Sequence, residues 1–278
     1  MTVQEVISVD KNLCKKDHLC IKDCPVQILA ADKEGYPMPL QVAAEFCIDC
    51  GHCVAVCPEG ALSQRTMNVT DCKPIKKELM LNEAQAEQFL SSRRSIRLFK
   101  KDPVEKPLIE KLIRNSTYGP SGHNIKNANW IVVSGHDKVH ELASMVYDWM
   151  GWMLENMPEI AMALHMDLVR ASWEAGKDRI LRDAPQLIIG HSAADSRSAP
   201  ITIANAIAYM ELLAPVYGLG TCWAGYFNAA CQTYPPLQAA IGLPKSNKVF
   251  GAFMIGYSKI KYHRVPLRPE APITWNPA

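Results

Sequence analysis

The sequence is short of several things that a chain of 278 residues often carries. It has no G-x-G-x-x-G fingerprint, since GLGTCW at 218–223 departs from it, and no Walker-type loop, so nothing indicates a resident dinucleotide or ATP site. It has little net charge: the formal +2 comes without a basic block, and no nucleic-acid partner is expected. Residues 1–13 carry Asp10 and Lys11 and no apolar core, so no signal peptide is expected and the reducing cytoplasm is the expected compartment. Long apolar runs are scarce. Only Ile201–Gly220 approaches membrane hydropathy; it holds Glu211, Asn205 and Pro215 and lacks basic flanks, so it reads as a buried core helix and no membrane partner is expected. No internal repeat exists outside one doubled cysteine motif.

Cysteine, by contrast, is plentiful. Seven of the ten cysteines fall in two groups, Cys14, Cys20 and Cys24, then Cys47, Cys50, Cys53 and Cys57, and each group ends in Cys-Pro. Zinc favours paired cysteines too, but four-coordinate sites would leave thiols over and give the Cys-Pro endings no role. Disulfides do not suit a reducing compartment. The second run, CIDCGHCVAVCP, resembles the ligand run of a bacterial two-cluster ferredoxin: three thiolates two residues apart, then a fourth after three more that reaches the other cluster. The first run, CKKDHLCIKDCP, holds Asp17 where the second ligand would stand. That resemblance implies one complete 4Fe-4S cluster on Cys47, Cys50, Cys53 and Cys24. It implies a second cluster on Cys14, Cys20 and Cys57, with Asp17 facing the fourth iron. A carboxylate is a harder and weaker iron ligand than a thiolate, so this second site is read either as an Asp-ligated 4Fe-4S or as a 3Fe-4S cluster. Cys72, Cys222 and Cys231 lie outside the runs and are expected to be buried thiols.

A ferredoxin of this kind needs only about 60 residues, which leaves room for one further domain. Residues 1–70 hold six Lys/Arg against nine Asp/Glu, a charge of −3, leaving +5 for the rest. The expected organisation is an iron–sulfur domain over 1–70, a linker over 71–82 and a second domain over 83–278. In that second domain Asn82 and Gln85 read as a capping box opening a helix over Glu83–Leu90. Further helices are expected over Leu108–Tyr118, His136–Asn156 and 201–217. Strands are expected at Trp130–Val133, Leu187–Ile189, around Cys222 and Trp223, and over Lys248–Tyr257 at the sheet centre. Helices and strands interleave, and the fold class is α+β.

The run SSRRSIRLF gathers Arg93, Arg94, Ser95 and Arg97, guanidinium forks and a hydroxyl that suit a phosphate. With PSGHN at 120–124, GLGTCWAG at 218–225 and KYHRVPLR at 261–268, it resembles the nitroreductase family of FMN enzymes over nearly all of 84–278. The likeness is nearest to members with an N-terminal ferredoxin domain. The resemblance puts Arg93, Ser95 and Arg97 on the phosphate motif, with Arg94 beside them, and Pro120, Ser121, Gly122 and Asn124 on the loop along the isoalloxazine ring. Where many members have Gln and then Pro-Trp, this chain has Lys126 and, after a longer spacer, Trp130. The backbone of Trp223, Ala224 and Gly225 would present N–H groups to flavin N5 and O4, glycines allowing close approach to the ring. Arg264 and Arg268 would close the phosphate site, with Lys261 in reserve. The family resemblance also implies a homodimer with FMN shared at its interface.

His123 beside the ring loop is a candidate proton donor, set against a structural hydrogen-bonding role. The stretch 145–166, with Met145, Met150, Met153, Met157, Met162 and Met166 beside Trp149 and Trp152, reads as core or dimer packing, or as an apolar roof over a substrate in which Tyr147 and Trp152 take part. The expected activity is an FMN- and iron–sulfur-dependent oxidoreductase that reduces a small nitroaromatic- or quinone-like molecule. The alternatives are a relay to a partner protein and an NAD(P)H-oxidising flavoprotein that reduces its own clusters. The expected donor is accordingly a ferredoxin or NAD(P)H.

Overall fold

The computed structural model describes residues 5–276 and divides into two compact units: Met1–Met80 with Gly122–Ile125, and Leu81–Ser121 with Lys126–Ala278. In the first unit, strand β1 (Ile7–Val9) and three one-turn helices, α1 (Leu19–Lys22), α2 (Ala43–Phe46) and α3 (His52–Ala55), alternate with strands β2 (Leu29–Ala31), β3 (Pro37–Pro39) and β4 (Leu62–Gln64). β1 pairs antiparallel with β4, and β2 with β3. Its core is small: Val6, Ile7, Ile28, Leu29, Ala43, Val54 and Leu62, with Cys20 among them. A core of that size is marginal by itself, which is where bound metal contributes folding energy.

The cysteine repeat is also a backbone repeat. Counting from Cys14 and from Cys47, left-handed backbone recurs at the same offsets: Lys16 and Asp49, His18 and Gly51, and, three residues beyond Cys24 and Cys57, Gln27 and Gly60. In the second motif these positions are Asp49, Gly51 and Gly60, which adopt positive φ readily, whereas Lys16, His18 and Gln27 of the first motif bear its cost. Each motif thus folds its ligand loop in one and the same way.

The second unit is built on a four-stranded antiparallel sheet in the order β5 (Asn129–Ser134), β6 (Gln186–Ala193), β8 (Asn247–Tyr257), β7 (Leu219–Trp223). Around it run α4 (Glu83–Ser92), α5 (Lys106–Ser116), α6 (His136–Asn156), α7 (Pro158–Ala163), α8 (Met166–Glu174), α9 (Ala199–Leu213), α10 (Gly225–Thr233) and α11 (Pro235–Ala240). The two central strands are apolar on both faces, as buried central strands should be. On β6, Leu187 and Ile189 join the core of α6, α8 and α10, while Ile188 between them joins the core of α5 and α9. On β8, Phe253 and Ile255 face α9 and Met254 faces α6. Each such fully buried side chain contributes roughly 1.5–3 kcal/mol.

The Asn82–Gln85 capping box forms reciprocally, with Gln85 N–H on Asn82 Oδ1 at 2.9 Å and Asn82 N–H on Gln85 Oε1 at 3.0 Å. Helix α5 starts two residues ahead of the expected Leu108, because Pro107 fits inside a first turn whose N–H groups need no intrahelical acceptor. Helices α7, α8, α10 and α11 were not anticipated. Pro158 closes α6 and opens α7, and the methionine-rich stretch is divided between them. The expectation of a buried core helix over 201–217 holds for one face only. Stretch 199–217 has the length and hydropathy of a membrane span. Its Thr202, Ile203, Ala206, Ile207 and Met210 pack inward, while Ile201 and Tyr209 are exposed.

Candidate cofactor sites

The eight ligand candidates divide into two cavities. Cys24, Cys47, Cys50 and Cys53 line one; Cys14, Asp17, Cys20 and Cys57 line the other. The grouping is the crossed one that the ferredoxin resemblance implies, the last cysteine of each motif joining the other motif's three positions. The thiols crowd one another electrostatically. Burial pushes the free Cys53 thiol up to about 12, and after burial the like charges of Cys50, Cys47 and Cys24, then of Cys20 from the other cavity, raise it further. Burial likewise raises Cys20, and its neighbours are Cys57, Asp17 and Cys14. Crowded thiols that resist ionisation alone are a donor set that cationic iron relieves, so both cavities fit an iron–sulfur cluster.

Asp17 stands three residues after Cys14, as Cys50 stands three after Cys47, each between two left-handed residues. One of its oxygens accepts the Leu19 N–H at 3.1 Å, and the side chain lines the cavity with the three thiols. The all-cysteine cavity is further braced. Arg65 Nε and Nη2 donate to Asp49 Oδ1 and Oδ2 at 2.7 and 2.9 Å, and Arg65 also donates to the Ala44 and Cys47 carbonyls at 3.0 and 2.9 Å. The Arg65 hydrogen bond holds the Asp49 carboxyl below its usual value, and buried Gln64 donates to the same carboxylate. In the same unit Asn124 Nδ2 donates to the Ile48 and Asp49 carbonyls at 3.1 and 2.9 Å.

The second unit holds a cleft of about 380 Å³ lined by Arg93 and Arg94 from the turn after α4, by Gly218–Thr221 at the start of β7, and by Lys261 and Tyr262. Three cations around one cleft suit an anionic ligand, and a phosphate in particular fits guanidinium forks. The turn is held to β7 by backbone: Ile96 N–H donates to the Thr221 carbonyl at 2.8 Å, and Ser95 bridges Thr221 in parallel. Gly220 is required there, because a Cβ would lie 2.3 Å from Ile96 Cγ1. The glycine expected to admit a ring therefore admits Ile96.

Other anticipated residues lie elsewhere. Lys261 lines the cleft, whereas Arg264 lines a neighbouring depression with Gln88, Ser92 and His263, and Arg268 is in the exposed C-terminal stretch. The Ala224 N–H donates to the Ala252 carbonyl at 2.9 Å, while Gly225 opens α10, whose first-turn N–H groups have no intrahelical acceptor. Trp223 is 41% exposed and its ring N–H donates to Glu211. Pro120, Ser121, Gly122 and Asn124 do not line the Arg93 cleft. Pro120 accepts from Asn205 Nδ2 at 3.0 Å, Ser121 accepts the Lys126 N–H at 3.2 Å, and exposed His123 has left-handed backbone. Arg97 is exposed beside Arg182, which sequence reasoning missed; burial and then the Arg97 charge hold Arg182 below the usual arginine value. Met150, Met153, Met166 and Trp149 are core, while Trp152, Met157 and Met162 are exposed. Tyr147 donates to Glu174 at 2.9 Å under the Arg170 guanidinium. Cys222 and Cys231 are buried, but Cys72 is exposed, because it ends a surface turn over Val69–Asp71.

Residues 12–62 match the family model described as a 4Fe-4S dicluster domain, and residues 90–257 match the nitroreductase family model. Among solved structures, the chain is similar to a nitroreductase with bound FMN from Bacteroides fragilis NCTC 9343, at 21% identity and a TM-score of 0.56, over 70% of this chain and 100% of that one. It is similar to a nitroreductase with bound FMN from Desulfitobacterium hafniense DCB-2, at 17% identity and a TM-score of 0.54, over 69% of this chain and 96% of that one. A BluB-like flavoprotein from Clostridium difficile 630 aligns at 19% identity and a TM-score of 0.54, over 66% of this chain and 94% of that one. The shared fold is the sheet-and-helix unit described above. With its matched segment spanning most of the second unit, the chain belongs to the nitroreductase family, as a flavin-dependent oxidoreductase preceded by a 4Fe-4S dicluster domain.

Proposed function

We propose that this chain exchanges electrons between two ferredoxin-type clusters and FMN and uses them to reduce a small electron-poor organic molecule of the nitroaromatic or quinone class. The observation that carries the reading is the presence, in one chain, of two four-donor cavities and a tricationic cleft. Iron–sulfur clusters supply electrons singly and FMN stores two, a pairing that a covalent tether favours by raising effective concentration.

The residues have distinct tasks. Cys24, Cys47, Cys50 and Cys53 hold one cluster; Cys14, Cys20 and Cys57 hold the other, with Asp17 as an exchangeable fourth ligand. Arg93, Arg94 and Lys261 grip the phosphate, and Gly225 offers a helix-start N–H. Ser95 and Ile96 lock the turn that carries the arginines. Sharing of FMN between two copies of the chain belongs to the same reading and rests on the family to which the second unit belongs.

The test is anaerobic purification with iron, sulfide and flavin counting. Separate titrations with reduced ferredoxin and with NAD(P)H would follow, read by cluster and flavin absorbance. Cluster and flavin should bleach together with one of the two donors. Protein containing no flavin, or no iron and sulfide, ends the proposal.

A further inference from the structure

Glu211 is the one charged residue of α9 and is only 8% exposed. A carboxylate so placed carries a large desolvation cost unless its oxygens are satisfied and its charge is met. Both conditions hold here, and two of the three partners line the Arg93 cleft. Thr221 Oγ1 donates to Oε1 at 3.0 Å, Trp223 Nε1 donates to Oε2 at 3.0 Å, and the Arg93 guanidinium stands 3.6 Å from Oε1. Arg93 and Thr221 line the cleft, whereas Glu211 does not. It reaches the ligand space only through them.

The chemistry of the pocket selects a carboxylate. Two neutral donors approach two different oxygens, and a cation faces one of them. A glutamine offers a single acceptor oxygen and two donors, so it satisfies one neutral donor and repels or strands the other. If the task were only to tie α9 to β7, one hydroxyl or amide would serve and no charge would need to be buried. The charge has a use if it orients Arg93, whose long side chain otherwise has many rotamers to lose when an anion binds.

We propose that Glu211 is a positioning residue that fixes the Arg93 guanidinium toward the cleft and so sets the grip on the phosphate of the cofactor. This rests on the reading of the cleft as the FMN site and adds to it a residue that touches no ligand. The experiment is an FMN titration of flavin-free full-length protein, comparing wild type, Glu211→Gln, Arg93→Ala and the double variant. Glu211→Gln should weaken FMN binding about tenfold when Arg93 is present, the size of one misplaced charge-assisted contact. In the Arg93→Ala background the same change should alter affinity less than about twofold. An equal loss in both backgrounds means that Glu211 acts on the fold generally and overturns the proposal. So does an unchanged or tighter affinity in Glu211→Gln while Arg93→Ala weakens binding. If Arg93→Ala leaves FMN affinity unaltered, the cofactor reading of the cleft fails and this inference with it. Should Glu211→Gln not fold, Glu211→Met, an apolar replacement of similar length, enters the same cycle with the same expectation.

Discussion

The two cavities of the first unit are copies of one another that differ in a single donor. Left-handed residues flank Asp17 and Cys50 at matching offsets, and each cavity takes in the last cysteine of the other motif. Their surroundings differ as well. The Cys50 cavity has Arg65, Asp49 and Gln64 knitted across its rim, whereas Asp17 accepts the Leu19 N–H and lines its own cavity. The repeated backbone thus holds Asp17 at the position where the second motif has Cys50. On the proposed reading this predicts two clusters of unequal robustness in one small unit.

The largest effect that sharpens this comparison is expected from ligand deletion. Cys50→Ala should cost about half the iron and markedly destabilise the first unit, since its small core depends on the metal, while Asp17→Ala should cost about one iron at most. Iron analysis with circular dichroism reads both, and equal losses would erase the distinction between the cavities. Next, Asp17→Cys should convert the weaker cavity into a copy of the stronger. On oxidation the unaltered protein is expected to develop a 3Fe-4S signal by EPR, and this variant should not.

A smaller effect separates the rims. Asp49→Asn removes the carboxylate that Arg65 grips with two bonds and should lower the stability of the first unit by about 1–3 kcal/mol, measured by denaturant titration. Because Arg65 holds the Asp49 carboxyl below 3.8, its contribution is complete above that pH and is lost as pH falls through the folded value. The smallest effect sets the second unit against the first. His191 is 7% exposed, Asn247 Nδ2 donates to its Nδ1 at 2.8 Å, and burial holds its pKa below 6.5. Below that pH the unfolded chain takes up more protons than the folded one, so the second unit should lose stability as pH falls from neutrality, levelling once the folded value is passed. His191→Asn should flatten this limb by roughly 1 kcal/mol or less while leaving the Asp49 limb intact.

Much of this was legible in the chain. The cysteine spacing announced two ligand sets and placed Asp17 among them. The capping box at Asn82 and the apolar runs of β6 and β8 announced their elements, because caps and burial patterns are local. Helices α7, α8, α10 and α11 were not legible. They are short, lack strong caps, and are held by packing against α6 and the sheet rather than by propensity. Of the C-terminal basic residues, spacing gave no way to tell Lys261 from Arg264 or Arg268, since the stretch has no regular structure from which to read a face.

The sequence by itself determined the chemistry on offer: seven thiols and a carboxylate in a doubled motif, an arginine turn, and an apolar helix with one acid. Tertiary structure alone decided how they are used. It put Ile96 where Gly220 has no side chain and turned Glu211 toward Arg93, Thr221 and Trp223. The reason is physical. Ligand type and local turn geometry are written in neighbouring residues, whereas the partner of a buried charge is fixed only when distant segments share one desolvated space and no water is left to satisfy it.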